Sequence, residues 1–289
     1  MTADQEQGPA RPIAEDRSLT TPSATEQEAF EAVRGWASAA IELATDPTTG
    51  TEGTRKGDVF DFVTPADGLI ERYLRTQVSA RFPGHSFLGE EEGGANRANG
   101  WQWIVDPIDG TLNYSTGLAG ATCSIALRRD DDMVVGAVAD LTTRSAYRAL
   151  AGSGRIIAST ADGDAVCQPT TSPAGAARIF LEFGWEDLDP VMVGTIEDLA
   201  GARPRAIRMV GGAAYALLNI ALHGGCFLGI GLRIWDVAAG IVLAREAGRE
   251  VRLWDLGTMV HLVVGEVDDL GELAPLVEQY GSMRVARAN

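Results

Sequence analysis

The run Trp103-Ile104-Val105-Asp106-Pro107-Ile108-Asp109-Gly110-Thr111-Leu112-Asn113 constrains this chain more than any other stretch. An apolar strand runs straight into two carboxylates and then into a Gly-Thr pair. Pro107 has a fixed φ and no N–H, so it turns the chain out of the strand and lets Asp106 and Asp109 converge. Carboxylates held that close repel each other, and one takes up a proton unless a cation lies between them. Ligands that are all oxygen select hard ions such as magnesium or manganese. Gly110 and Thr111 are placed to begin a helix, whose free amides would face the same site and donate to phosphate oxygens. The plainer reading is an acidic turn, because Asp, Pro and Gly all favour turns.

Charge sharpens the point. The 289 residues carry a formal net charge of −16. That balance argues against a nucleic acid polymer or an anionic membrane as partner, since both would repel it. A phosphate ester would also be repelled unless something cationic stands between it and the carboxylates, and a bound metal ion is the simplest candidate. The length suits one large domain or two packed halves. Cys123, Cys167 and Cys226 are far apart and form no C-x-x-C pair. They read as free thiols in a reducing cytoplasm. No stretch is long and apolar enough to span a membrane. The N-terminus lacks the basic start and apolar core of a signal peptide.

Residues 1–24 are rich in Pro, Gln, Glu, Thr and Ala and are expected to form a disordered tail. A capping box of Thr25 and Glu28 should open the first helix, with Phe30, Val33, Ala37, Ala40, Ile41 and Ala44 on its apolar face. Thr64, Pro65 and Asp67 mark the start of a second helix. Short strands follow at 86–89, 103–105, 122–127, 134–139 and 145–150, with Asp130, Asp131 and Asp132 at a hairpin tip. A looser segment at 152–175 separates an N-terminal α+β half, 25–152, from a C-terminal half, 153–289. In the latter, strands and helices alternate as in an α/β layered fold. His85, His223 and His261 sit at no metal-ligand spacing and read as surface or helix-end residues. Trp101 and Trp103 read as packing residues.

Two further acidic sites matter. Gly89-Glu90-Glu91-Glu92-Gly93 follows a short apolar run and would alone pass for a solvated loop. Asp236, in Trp235-Asp236-Val237-Ala238-Ala239-Gly240, would alone pass for an N-cap. Together with the central run they resemble the inositol monophosphatase family. That family's pattern is a G-E-E cluster, then D-P-[ILV]-D-G-T-x-N, then W-D-x-x-[AG]-[AG]. Lys56 and the run Asp61-Phe62-Val63-Thr64-Pro65-Ala66-Asp67 match the family's upstream motif, and the likeness extends over roughly residues 25–280.

The resemblance implies alternating α-β-α-β-α layers with the site at the junction of the halves, a homodimer, and a lithium-sensitive, magnesium-dependent phosphomonoesterase. Glu90, Asp106 and the Ile108 carbonyl would hold one ion. Asp106, Asp109 and Asp236 would hold a second, and a third would share Glu90. Asp67 and Thr111 would activate the attacking water, while Gly110 and Thr111 would bind phosphate. Attack would be in line, with no covalent intermediate.

The chain departs from the pattern on the substrate side. Gly229 stands where inositol-cleaving members carry an acid, seven residues before the W-D aspartate. Gly212 replaces a hydroxyl residue in Arg208-Met209-Val210-Gly211-Gly212-Ala213-Ala214. Arg233 and Arg208 are candidates to meet extra charge on a substrate such as a nucleotide or a bisphosphate. Glu182 and Glu186 are candidates to replace the missing acid. Two rivals stand beside this reading. A haloacid-dehalogenase-type phosphatase needs acids two residues apart, whereas Asp106 and Asp109 are three apart. A non-catalytic family member would keep the fold as a binding or regulatory protein.

Overall fold

The computed structural model describes residues 21–56, 62–94, 100–171, 178–184, 190–201, 205–256 and 259–285. The expected N-terminal tail, Asp61 and Glu186 lie largely or wholly outside them. The N-terminal half runs α1 (Ala24–Thr45), β1 (Thr54–Arg55), β2 (Phe62–Val63), α2 (Pro65–Arg81), β3 (Ser86–Gly89), β4 (Gly93–Gly94), β5 (Trp101–Asp109) and α3 (Thr111–Thr116). It continues through β6 (Thr122–Arg129), β7 (Asp132–Asp140), β8 (Ser145–Leu150), β9 (Ile156–Thr160) and β10 (Gly163–Val166). Then come β11 (Arg178–Phe183), α4 (Pro190–Gly201), β12 (Ala206–Arg208), α5 (Ala213–His223), β13 (Cys226–Leu232), α6 (Ile234–Glu246), β14 (Glu250–Asp255), β15 (Val260–Gly265) and α7 (Val267–Val285).

Two large sheets result. One has eight strands in the order β10-β9-β8-β7-β6-β5-β3-β4, and the other has five in the order β12-β11-β13-β15-β14. Helices α1 and α2 cover the outer face of the first sheet. Helices α5 and α6 lie between the sheets, and α4 and α7 cover the far face of the second. These are the expected alternating layers. The central layer explains why α5 and α6 are rich in Ala and Leu: residues such as Leu217, Ala238 and Val242 are buried from both sides. Trp103 packs against Trp36 and Phe82, with centroids 4.9 and 5.3 Å away, in the core beneath α1 and α2. No helix among the described residues is long and apolar enough to cross a membrane.

Several boundaries differ from the sequence reading. The capping box at α1 is Ser23 with Glu26, two residues earlier than expected: Ser23 N donates to Glu26 at 2.6 Å and Glu26 N donates to Ser23 Oγ at 3.3 Å. Much of the looser segment is a hairpin, β9 and β10, which extends the first sheet. Residues 156–166 therefore join the N-terminal half. Their exposed outer strand dilutes the apolar alternation that marks a buried one. His223 does end a helix, but His261 is buried on β15, where its Nδ1 accepts the Gly231 amide at 2.8 Å. His85 is a half-buried packing residue, and its Nδ1 accepts Trp103 Nε1 at 3.1 Å.

Candidate active site

The end of β5, the turn after β3 and the start of α6 meet at one cavity of about 330 Å³. Glu90, Asp106, Asp109 and Asp236 all line it, with Ile108, Gly110 and Thr111 beside them. Four features of the chain bring the acids there. β3 runs parallel to β5, with Gly89 opposite Val105, so the turn after β3 emerges beside Asp106. The pairing of β5 with β6 breaks register between Asp106 and Asp109, where Pro107 cannot donate, and both acids stay buried. Gly110 takes φ +83°, a left-handed conformation open to glycine, and turns the chain into α3. Asp236 sits in the first turn of α6 and accepts the Arg233 amide at 2.8 Å.

Burial dominates the electrostatics. It pushes Glu90 up to about 7, with Lys56 opposing the shift, and Asp109 up to about 7 against the pull of the Ala214 amide. It pushes Asp236 up to about 8, helped by the charge on Asp109. Asp106 is raised well above the usual carboxylate range by burial and then by the charges of Glu90, Asp109 and Asp236. The acids have other anchors. Asp109 accepts the Ala213 and Ala214 amides at 3.1 and 2.8 Å and so caps α5. Lys56 Nζ lies 3.2 Å from Glu90 and is also paired with Glu91.

Do these residues suit a metal ion? Among the described residues, no three acidic, His or Cys side chains are gathered closely enough to hold one as they stand. The donor set nevertheless fits. Asp106 Oδ1 is buried without a hydrogen-bond partner among the described residues, a costly arrangement that a cation would relieve. All four donors are carboxylates, which suits a hard divalent ion.

Asp67 and Thr111 also meet. Asp67 is fully buried; its Oδ2 takes the Thr64 amide at 2.7 Å and the Thr64 hydroxyl at 2.5 Å. Its Oδ1 lies 3.5 Å from Thr111 Oγ1, which donates to the Ile108 carbonyl at 2.9 Å. Burial raises the Asp67 pKa, and the bonds from Thr64 oppose that.

The substrate-side expectations divide. Arg233 lines the cavity. Arg208 does not: it is exposed, and its Nη1 bonds the Ile207 carbonyl at 2.9 Å. Gly229 does not line the cavity either. It lies inside β13, where a Cβ would meet Leu232, Phe227 and Leu262 at 2.7, 2.7 and 2.8 Å. Gly212 is small because a Cβ there would come within 2.5 Å of the Gly120 carbonyl oxygen. Glu182, across the sheet from Gly229, is buried at the cavity wall. It accepts the Val210 and Gly211 amides at 2.9 and 3.1 Å, and burial pushes it up to about 7. The residue that motif spacing does not reveal is Glu71. Its only sequence signal is a charge on the apolar side of α2, next to Ile70 and one turn before Leu74.

The profile of the inositol monophosphatase family matches residues 23–280. Inositol-1-monophosphatase SuhB of Mycobacterium tuberculosis is 32% identical over 218 residues, 68% of this chain and 70% of that protein. A Haemophilus influenzae protein named Nus factor SuhB is 31% identical over 223 residues, 71% of this chain and 76% of that protein. The solved structure of Mycobacterium tuberculosis SuhB superimposes with a TM-score of 0.68 at 26% identity, covering 88% of this chain and 97% of that one.

Proposed function

The chain belongs to the inositol monophosphatase family, and from that premise we propose that it hydrolyses a small phosphate monoester with magnesium held by Glu90, Asp106, the Ile108 carbonyl, Asp109 and Asp236. Family membership supports phosphatase activity in general. The observation that carries the metal assignment is the buried Oδ1 of Asp106, which has no hydrogen-bond partner among the described residues, in a cavity that Glu90, Asp109 and Asp236 also line. When bound, two or three magnesium ions would lower the pKa of a coordinated water and offset charge on the leaving oxygen.

The chain's own residues do the rest. Asp67, locked by Thr64, presents Oδ1 to Thr111, and this pair orients the attacking water and draws its proton. Gly110 and Thr111 form the wall against which the phosphate rests. Lys56 and Arg233 bring positive charge to a cavity that Glu90, Asp106, Asp109, Glu182 and Asp236 also line. The leaving group faces Phe62, Phe183 and Leu232 beside Arg233, a wall that is apolar with one cation. That wall suits a 3′-phosphonucleotide or a sugar bisphosphate such as fructose 1,6-bisphosphate better than inositol monophosphate. A homodimer in the cytoplasm, with no nucleic acid or membrane partner, completes the reading.

A second reading is favoured by one specific finding: a relative 31% identical is named as a Nus factor. On that reading the fold serves a binding or regulatory role without turnover. Phosphate release by the pure protein in magnesium separates the two. The panel should include inositol 1-phosphate, fructose 1,6-bisphosphate, histidinol phosphate and a 3′-phosphonucleotide. Turnover of one or more of these supports the phosphatase, and none across the panel supports the binding protein.

A further inference from the structure

The turn that carries Glu90 is gripped from behind by a fully buried glutamate that does not line the cavity. Glu71 lies on α2, one turn after Asp67. Its Oε2 accepts the Glu91 amide at 2.8 Å, and its Oε1 accepts the Glu92 amide at 3.0 Å. Arg75 Nη2 donates to Glu71 Oε1 at 2.8 Å and to the Gly93 carbonyl at 3.0 Å. One carboxylate and one guanidinium therefore hold the chain on the C-terminal side of Glu90. The Glu90 amide donates to the Val105 carbonyl at 3.2 Å, which ties the other side to the strand carrying Asp106.

The room for this arrangement comes from Gly89. A Cβ there would lie 2.3 Å from the carboxyl carbon of Glu71. Arg75 is itself steadied over the Phe87 ring, 4.3 Å from its centroid. Burying the Glu71 carboxylate costs desolvation that packing alone would not require, and Ile70, Leu74 and Val78 already pack α2. Both amides that Glu71 holds belong to the two residues directly after Glu90, so what the charge gains is direction for that turn. Its pairing with Arg75 also keeps it from adding net repulsion to the acids in front.

We propose that Glu71, braced by Arg75 and admitted by Gly89, is the positioning residue that aims Glu90 at Asp106 and thereby sets the affinity of the cation site. This inference rests on the reading of the cavity as a divalent-cation site.

The probe is Mn²⁺, with binding read by electron paramagnetic resonance on the full chain and exchange of the Glu91 and Glu92 amides read alongside. Glu71→Gln keeps the volume but leaves only one oxygen for two amides. It should weaken Mn²⁺ binding by roughly 10–100-fold, the range typical for outer partners of metal ligands. It should also speed exchange at both amides, while turnover at saturating magnesium stays within about threefold, since the reacting groups are untouched. Gly89→Ala should displace the same carboxylate from the other side and weaken Mn²⁺ binding in the same way. Wild-type Mn²⁺ affinity in both variants, with both folded by circular dichroism, overturns the proposal. So does a loss of turnover at saturating metal with affinity unchanged. A wild-type protein that binds no Mn²⁺ would defeat the cation reading instead, and the amide exchange would then decide alone whether Glu71 holds the turn.

Discussion

Glu90 and Asp106 line the same cavity, and the charge on Glu90 adds to burial in holding the Asp106 carboxyl well above its usual range. Burial also raises Glu90 to about 7, so both carboxyls hold their protons more readily than they would in water. Proton and cation are thus alternatives at this site. The folded values lie above those of the unfolded chain, so the metal-free fold binds protons that the unfolded chain releases. The stability this confers is complete below about pH 4, where unfolded carboxylates are protonated, and is lost as pH rises through the folded values. For Glu90, Asp109 and Asp236 those values are about 7, 7 and 8. In chelator, the Tm should fall between about pH 5 and 8, and magnesium should reverse the fall. A metal-free Tm that rises across that window contradicts the assignment.

Asp109 has two roles that one substitution can separate. It lines the cavity and also caps α5 through the Ala213 and Ala214 amides. Asp109→Asn leaves one acceptor for two amides, so stability in urea should drop by about 1 kcal/mol, as for a weakened cap. Turnover should fall much further, on the order of a thousandfold, because a charged ligand is lost. A variant that loses stability but keeps its turnover would show Asp109 to be a cap alone.

Thr111 and Asp67 should behave as one unit. Thr111→Ala and Asp67→Asn are each expected to lower turnover while Mn²⁺ affinity stays close to wild type. The double variant should be little worse than the more damaged single. Simple addition of the two losses would show that the 3.5 Å approach of Thr111 to Asp67 is incidental.

Restoring an acid at position 229 should not restore a substrate contact. A side chain there would run into Leu232, Phe227 and Leu262. Gly229→Glu would therefore overpack the core and bury a charge. Overpacking alone should lower stability by about 1–3 kcal/mol. A Gly229→Glu protein as stable as wild type, with improved kcat/KM on inositol 1-phosphate, would contradict this placement.

The four carboxylates that meet at the cavity are legible in the sequence because each sits beside an element that announces itself. Asp106 and Asp109 end an apolar strand, Asp236 opens a helix, and Glu90 follows a short strand. The substrate side is not legible in this way. The family resemblance puts Gly229 where inositol-cleaving members carry an acid, whereas its direction depends on the pleat of β13 and on the neighbours Leu232 and Leu262. Arg208 has the length to reach a substrate, yet it sits exposed on an edge strand. His261 carries no local signal, since its role depends on pairing with a strand 30 residues earlier. Glu71 is hidden for a related reason: apart from Arg75 one turn on, its partners are backbone amides, which no side-chain motif records.

The most direct measurement is phosphate release by wild type and Asp236→Asn from one preparation, on the best ester of the panel, across a magnesium titration ended with chelator. Asp236 lines the cavity and accepts the Arg233 amide at the start of its own helix. An asparagine oxygen can still accept that bond, so the variant should stay folded. The account predicts wild-type turnover that saturates with magnesium and vanishes in chelator. It also predicts an Asp236→Asn protein that is folded, needs far more magnesium and turns over at least about a hundredfold more slowly, as expected when a cation's charged ligand is removed. Wild-type turnover that persists in excess chelator, or an Asp236→Asn protein indistinguishable from wild type, would contradict it.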